Sequence, residues 1–158
     1  MDAQSYREFF GQLPTGVTAI VANGDAGPVG LVVGTFSSVS LDPPLVSFMV
    51  TSGSRSWAAV RAVGRFTANV LASDQQEVCK QVSAKGPDKF VGVEYALSRH
   101  NLPIIANSIA CIECSIHSVV EAGDHWIVLG HVLGLEVTRD EDPMLFHRGR
   151  YGGFAELA

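Results

Sequence analysis

One segment decides how this chain is interpreted: Gly30-Leu-Val-Val-Gly34-Thr35-Phe-Ser-Ser-Val-Ser40-Leu-Asp-Pro-Pro-Leu-Val46. It joins a predicted strand over 29–33 to Gly34, and a glycine at a strand end is typical of a bulge or of close approach by a ligand or another backbone. Thr35, Ser37 and Ser38 then supply hydroxyls beside exposed N–H groups. Such a segment can hold a planar heterocycle through main-chain hydrogen bonds and reach a phosphate with its hydroxyls. A glycine-containing bend between two core strands explains the same residues.

Composition predicts one domain spanning residues 1–158. The chain is 47% hydrophobic and 17% charged, which suits a compact fold with a sizeable core. Its 11 Lys and Arg residues stand against 16 Asp and Glu residues, and the net charge is −5. Nucleic acid and anionic membranes are therefore poor partners, because phosphate binding needs concentrated positive charge. The N-terminal sequence lacks the pattern of a signal peptide, so a cytoplasmic protein is expected.

The three cysteines are Cys79, Cys111 and Cys114. An odd number cannot all pair in disulfides, which agrees with a reducing compartment. The spacing of Cys111 and Cys114 suggests a redox or zinc site, but their surroundings alternate with a period of two. Residues three apart in a strand point to opposite faces, so we expect structural cysteines and no metal site.

Periodicity and turn residues predict most of the helices and strands. A helix is expected over 4–12, and strands over 17–22, 29–33, 45–51 and 65–71. The strand over 45–51 is apolar at nearly every position, which predicts burial on both faces. Ser54 or Ser56 can cap a helix ending near 63, with Gly64 beyond its end. The spacing of Ser73 and Gln76 predicts a capping box that opens another helix.

The C-terminal half is almost entirely β in pattern. Strands are expected over 110–120 and 125–138, joined by a tight turn, with a last short segment over 144–154. Tight turns give antiparallel pairing, and closure of a sheet removes its exposed edges. The expected fold is therefore mainly β, an antiparallel six-stranded closed or split barrel with a few flanking helices.

Several segments together resemble the flavin reductase-like family of FMN-binding split barrels. The segments are Leu13-Pro-Thr-Gly16-Val-Thr, Gly30 to Val46, Ser54-Arg-Ser-Trp57, Gly64-Arg-Phe66-Thr-Ala-Asn69-Val-Leu71, Asp88-Lys89-Phe90-Val-Gly92, Gly123-Asp124-His125 and His147-Arg-Gly149-Arg-Tyr151. Each is weak evidence alone, but their order and spacing over most of the chain are specific. The family supplies the reductase components of two-component flavin-dependent monooxygenases.

The resemblance implies a homodimer with FMN or FAD in a groove near the subunit interface. It implies that Val32, Val33, Gly34 and Thr35 lie against the flavin ring and ribityl chain. It further implies that Ser52, Ser54 and Arg55 hold phosphate, and that Lys89 and Phe90 close the groove.

The nicotinamide of NADH or NADPH is expected to stack on the flavin. The chain lacks the Gly-x-Gly-x-x-Gly of a dinucleotide-binding unit. By resemblance, His125 contacts the nicotinamide, the alternative being a surface histidine. His147, Arg148 and Tyr151 form either part of the same pocket or a dimer contact. His131 is expected in the core or an interface, and His100 and His117 on the surface.

The expected activity is NAD(P)H:flavin oxidoreduction, with reduced flavin passed to a partner monooxygenase. Hydride transfer is carried by the two cofactors, so no acid, base or nucleophile of the protein is obligatory. Two alternatives use the same barrel: a protein that binds flavin tightly without using nicotinamide, and a flavin-dependent reductase of another small molecule. The choices between FMN and FAD and between NADH and NADPH stay open, as does the identity of the partner.

Overall fold

The structure is a computed structural model that describes residues 2–157, a range that contains three helices and twelve strands. The helices are α1 (Ala3–Phe10), α2 (Arg55–Val63) and α3 (Gln76–Ser83). The strands are β1 (Thr15–Gly16), β2 (Thr18–Gly24), β3 (Gly27–Val33), β4 (Ser37–Leu41), β5 (Pro44–Thr51), β6 (Arg65–Val70), β7 (Tyr95–Leu97), β8 (Pro103–Ile105), β9 (Ala110–Ala122), β10 (His125–Val137), β11 (Leu145–His147) and β12 (Arg150–Gly152). None of the helices in this range is long and apolar enough to cross a membrane.

The main sheet is antiparallel and has seven strands in the order β3-β2-β6-β9-β10-β5-β4. The mainly β prediction is confirmed, but the expected number of six strands is wrong. The additional strand is β4, which none of the alternation signals indicated because every residue in it is exposed or half-buried. Two smaller sheets complete the described chain, β1-β11-β12 and β7-β8.

The core lies on both faces of β2. Ile20 and Ala22 belong to a cluster built around Phe48, Trp57 and Phe66, whose rings pack edge to face. On the other face of the strand, a second cluster packs α3 against the sheet, and its members include Val17, Ala19, Val21, Leu71, Cys79, Val82 and Met144. Burying one large apolar side chain contributes about 1.5–3 kcal/mol, so these clusters dominate the stability of the fold.

Strand β5 is buried on one face only, which corrects the expectation of two buried faces. Val46, Phe48 and Val50 point into the core, whereas Met49 is 46% exposed and Thr51 is exposed. Successive apolar residues of β5 therefore point to opposite faces of the sheet, one packed in the core and the other exposed to solvent in the single chain. We call this second surface the outer face.

The helix ends agree with the sequence at α2 and differ at α3. The Ser54 side chain accepts a hydrogen bond from the Trp57 N–H, and Gly64 ends the helix with φ +77°. The predicted capping box at α3 is wrong, because its N-cap is Gln75 with no side-chain capping bond. Gln75 instead accepts from the Ala72 N–H and donates to the Ala106 carbonyl, so its amide fixes two loops.

Polar and sulfur-containing side chains inside the fold are structural. Asn69 is fully buried, donates to the Ala19 carbonyl and the Thr67 hydroxyl, and accepts from the Ile105 N–H. All three cysteines are buried free thiols. Burial raises the pKa of Cys114 to about 12, so this thiol is protonated at neutral pH.

Candidate functional site

A cavity of about 740 Å³ lies between β3, α2 and the loop that follows α3. Val32 contributes to it from β3, Ser54 and Arg55 from the start of α2, and Lys89 from the loop. These four were among the residues expected to hold a flavin. The structure therefore brings together residues from three segments that are far apart in sequence.

The start of α2 gives the cavity one anion-binding end. Helix N–H groups and the helix dipole favour negative charge at this terminus, and Arg55 adds a full positive charge beside it. Ser54 is partly committed to capping the helix. Ser52 lies outside the cavity lining, and its N–H donates to the Asp124 carbonyl at 3.0 Å. Ser54 and Arg55 are thus better placed for a phosphate than Ser52.

Lys89 bridges the loop, β3 and α2. Its ammonium donates to the Gly30 carbonyl at 3.1 Å and to the Ser56 hydroxyl at 2.9 Å. An ammonium has three donors, so one remains for a ligand in the cavity. Burial lowers the pKa of Lys89, and a bound anion would offset that cost. Phe90 packs over Gly30, where an added Cβ would lie 3.1 Å from Phe90 Cζ.

The residues expected against the flavin ring have structural partners of their own. Val33 is buried in the core, so only its backbone can contact a ligand. The absent side chain at Gly34 leaves room for Thr15, because an added Cβ would come within 2.6 Å of Thr15 Oγ1. The Thr35 hydroxyl accepts from the Met49 N–H at 2.8 Å and donates to the Met49 carbonyl at 3.2 Å. Gly34 and Thr35 therefore have a structural role at the end of β3, independent of any contact with a flavin.

His125 begins β10 next to the anion-binding end of the cavity. It lies opposite Thr51 in the β5–β10 ladder, and Thr51 lines the cavity. Its Nδ1 is 2.7 Å from Asp124 Oδ1, and this hydrogen bond lowers the pKa of Asp124. The side chain of His125 is 42% exposed, so the other ring nitrogen remains available.

The remaining nicotinamide candidates lie on the β11–β12 hairpin, outside the cavity lining. The Arg148 side chain donates through Nε to the Gln12 side chain at 2.8 Å, and the Arg148 backbone N–H donates to the Gly11 carbonyl. Tyr151 accepts a hydrogen bond from the Cys79 thiol at 3.4 Å and packs against Phe146. That contact raises the pKa of Tyr151 to about 12. The hairpin pairs with β1, which carries Thr15, so it lies near the Gly34 end of β3.

Sequence reasoning missed several groups around this site. Asp124 was assigned only to the turn before β10, although its carboxylate is hydrogen-bonded to the neighbouring His125 ring. Lys85 and Ala59 also line the cavity, but neither belongs to a motif. His100, expected on the surface, is half-buried with Nδ1 3.0 Å from the buried Glu113 carboxylate. No local pattern predicts that contact, because the two residues meet only through tertiary packing.

Comparison with known proteins decides the family. The flavin reductase-like domain matches residues 10–155. The chain belongs to this family. It is 47% identical over 158 residues to the flavin reductase of Pseudomonas putida, covering 99% of this chain and 93% of the relative. It is 44% identical to HsaB of Rhodococcus jostii, the reductase subunit of a flavin-dependent monooxygenase, covering 97% of this chain and 78% of the relative.

A solved structure agrees with these relatives. The NADH:FAD oxidoreductase SgcE6 of Streptomyces globisporus, in complex with NAD and FAD fragments, superimposes with a TM-score of 0.91 at 35% identity. The match covers 98% of this chain and 93% of that one. The family resemblance noted in the sequence is therefore confirmed.

Proposed function

We propose that this protein is an NADH-dependent flavin reductase that reduces FMN or FAD and supplies the product to a separate monooxygenase. The observation that carries the proposal is the cavity beside β3, with a helix N-terminus and two cationic side chains at one end, in a chain of this family. The relatives named above are a flavin reductase, a monooxygenase reductase subunit and an NADH:FAD oxidoreductase. Their activities support the same activity here.

The protein's part in the reaction is binding and alignment. The two cofactors supply hydride donor and acceptor chemistry, so the chain has to hold the rings in contact and exclude competing reactions. Ser54, Arg55 and Lys89 are proposed to hold the flavin phosphate. The backbone from Val32 to Thr35 is proposed to lie along the flavin ring.

His125 is proposed to contact the nicotinamide. Asp124 orients the ring through Nδ1, which leaves Nε2 to face a ligand. The hairpin residues Arg148 and Tyr151 are proposed for the far side of the same pocket, with release of Arg148 from Gln12 on binding. A dimer contact, which the sequence had left open for these residues, is the alternative proposal.

The active form is proposed to be a cytoplasmic homodimer with the flavin groove near its interface. The outer face supports this, because Met49 is 46% exposed and Val120 is 51% exposed in the single chain. Apolar residues gathered on one face commonly mark an interaction surface. In such a dimer the seven-stranded sheet is proposed to curl as a split barrel.

The test is NADH oxidation by the purified protein with and without added flavin. We expect oxidation to require FMN, FAD or riboflavin, and anaerobic reactions to reduce one flavin for each NADH consumed. Addition of a monooxygenase component should then consume the reduced flavin. Tight flavin binding without NADH oxidation would overturn the proposal in favour of a flavin-binding protein.

A further inference from the structure

The hairpin β11–β12 contacts a buried thiol of α3. Cys79 is fully buried, and its thiol donates a hydrogen bond to the Tyr151 hydroxyl at 3.4 Å. The two residues are 72 positions apart in the chain, so the contact joins α3 to the C-terminal sheet. The bond therefore fixes the hydroxyl end of the Tyr151 ring at the core.

The Tyr151 ring is fixed on a second side by Phe146. The two ring centroids are 5.3 Å apart with 56° between the ring planes, within the range of favourable aromatic pairs. Tyr151 is 37% exposed although its hydroxyl contacts a fully buried residue. The exposed part is therefore the ring, which can stack on a planar group of a ligand.

The backbone of this hairpin is too short to position the ring by itself. β11 and β12 have three residues each, and a two-stranded hairpin has little stability of its own. Its turn is bonded to the end of α1 through the Arg148 N–H, and β11 pairs with β1. Tyr151 connects β12 to α3 through its hydroxyl. Loss of the thiol therefore leaves the ring free to turn about its side-chain bonds.

We propose that Cys79 is a positioning residue for hydride transfer, acting through Tyr151. Its thiol holds the ring against the nicotinamide, and it does so without touching a substrate or cofactor. Alignment matters because hydride transfer requires the two reacting rings in close, oriented contact. The inference rests on the proposed function, which places Tyr151 in the nicotinamide pocket but gives the cysteine no part in the reaction.

A cysteine that only fills the core would not need a polar partner. The cluster around Cys79 is apolar and includes Leu71, Val82 and Met144, so alanine can occupy the position with a small loss of packing. Alanine lacks a donor for the Tyr151 hydroxyl, whereas serine keeps an O–H donor in place of the S–H. The comparison of these two substitutions therefore separates the hydrogen bond from the packing.

The experiment compares NADH oxidation by Cys79→Ala and Cys79→Ser with saturating FMN. We expect kcat/KM for NADH to fall about threefold to tenfold in Cys79→Ala, the effect of one hydrogen bond. Cys79→Ser should stay within about twofold of the wild type, because the donor is retained. The dissociation constant for FMN should stay constant in both variants. Cys114→Ala is the matched control and should leave kcat/KM constant, because Cys114 is equally buried but lies in the cluster around Phe48.

A double-mutant comparison tests whether the effect passes through Tyr151. Tyr151→Phe removes the hydroxyl acceptor and keeps the ring, so it should lower kcat/KM for NADH by the same factor as Cys79→Ala. The double variant should be no worse than either single variant, because both substitutions remove the same bond. Losses that multiply in the double variant would assign Cys79 to core packing and overturn the inference. If Cys79→Ala does not fold, Tyr151→Phe alone decides, since normal NADH kinetics in that variant overturn the inference.

The remaining outcomes separate this inference from its alternatives. Unchanged NADH kinetics in Cys79→Ala, or an equal loss in Cys79→Ser, overturn it. Light scattering measures the oligomeric state of each variant, and a loss of activity that follows dissociation of a dimer overturns the inference by assigning Tyr151 to the subunit interface. In all these cases the wild-type protein still oxidises NADH with added flavin. Failure of the wild-type protein to reduce any flavin overturns the proposed function instead.

Discussion

Thr15 fills the space that a side chain at Gly34 would need. An added Cβ at Gly34 would lie 2.6 Å from Thr15 Oγ1 and 3.2 Å from Thr15 Cβ, both closer than ordinary packing allows. Thr15 belongs to β1, which pairs with β11. The contact therefore joins the end of β3 to the small C-terminal sheet.

We predict that Gly34→Ala lowers the stability of the protein even without flavin. Overpacking of this kind costs about 1–3 kcal/mol, because either Thr15 or the β3 backbone must move. Thermal unfolding of the apo-protein measures the effect. Thr15→Ala in the Gly34→Ala background should recover part of the loss, since it removes the closest atom. Unchanged apo-protein stability in Gly34→Ala would contradict the packing role.

Arg55→Ala should weaken FMN binding and leave riboflavin nearly unaffected. Riboflavin lacks the phosphate that Arg55 is proposed to meet, and a hydrogen bond to a charged group contributes about 1.5–3 kcal/mol. FMN affinity should therefore fall roughly tenfold to a hundredfold, as measured by fluorescence titration. Arg61→Ala is the matched control on the same helix, because Arg61 stacks over Trp126. An equal loss of riboflavin affinity would contradict the proposed contact between Arg55 and the flavin phosphate.

His125→Ala should raise the KM for NADH and leave the dissociation constant for flavin nearly constant. Losing one hydrogen bond costs about 0.5–1.5 kcal/mol, so the expected change is roughly threefold to tenfold. Asp124→Asn should give a smaller change, because its amide oxygen still accepts from Nδ1 while the charge is lost. Normal NADH kinetics together with weakened flavin binding would contradict the nicotinamide contact and indicate that His125 contacts the flavin.

Asn69→Ala should destabilise the protein through its buried network. The substitution leaves the Ile105 N–H without its acceptor, and a buried unsatisfied polar group costs about 1–3 kcal/mol. Asn69→Asp keeps the acceptor but places a charge in a fully buried position, so it should be no better tolerated. Chemical denaturation of the apo-protein gives both values.

Cys114 should resist alkylation in the folded protein at pH 8. Burial raises its pKa from 9.0 to about 12, so the reactive thiolate is about a thousandfold rarer than in the unfolded chain. The unfolded chain loses this proton first, so stability should fall as the pH rises above 9.0. Mass spectrometry after iodoacetamide treatment, with and without denaturant, tests the prediction. Rapid labelling of folded protein would contradict it.

The sequence was sufficient where short-range patterns carried the information. The helix end at Gly64 was predicted from local chemistry, and the cap at Ser54 is one of the two serines that the sequence offered. The hydroxyls of 35–38 allowed either ligand contacts or a bend between two core strands, and the structure shows Thr35 bonded to Met49 and Ser37 in a strand. A strand with no buried face has no alternation to detect, so β4 was not predicted.

The candidate site was predicted only in part for a related reason. Motifs identified Ser54, Arg55 and Lys89, but the cavity that joins them depends on packing between β3, α2 and a loop. Thr15 and Gly34 are in contact although they are far apart in sequence, and local periodicity does not predict such contacts. Family resemblance named residues expected near the ligand, whereas the structure distinguishes those that line the cavity from those that are packed behind it.

The hydrogen bonds from Lys89 to Gly30 and Ser56 bear on how fast the protein is degraded in a cell. They hold together three separate segments that form the cavity only in the folded chain, so a flavin in the proposed site binds the folded state and not the unfolded one. Ligand at a hundred times its dissociation constant adds about 2.7 kcal/mol to apparent stability. Proteases that attack unfolded chains will then remove the empty protein faster than the loaded one. The amount of reductase will therefore follow the supply of its own substrate.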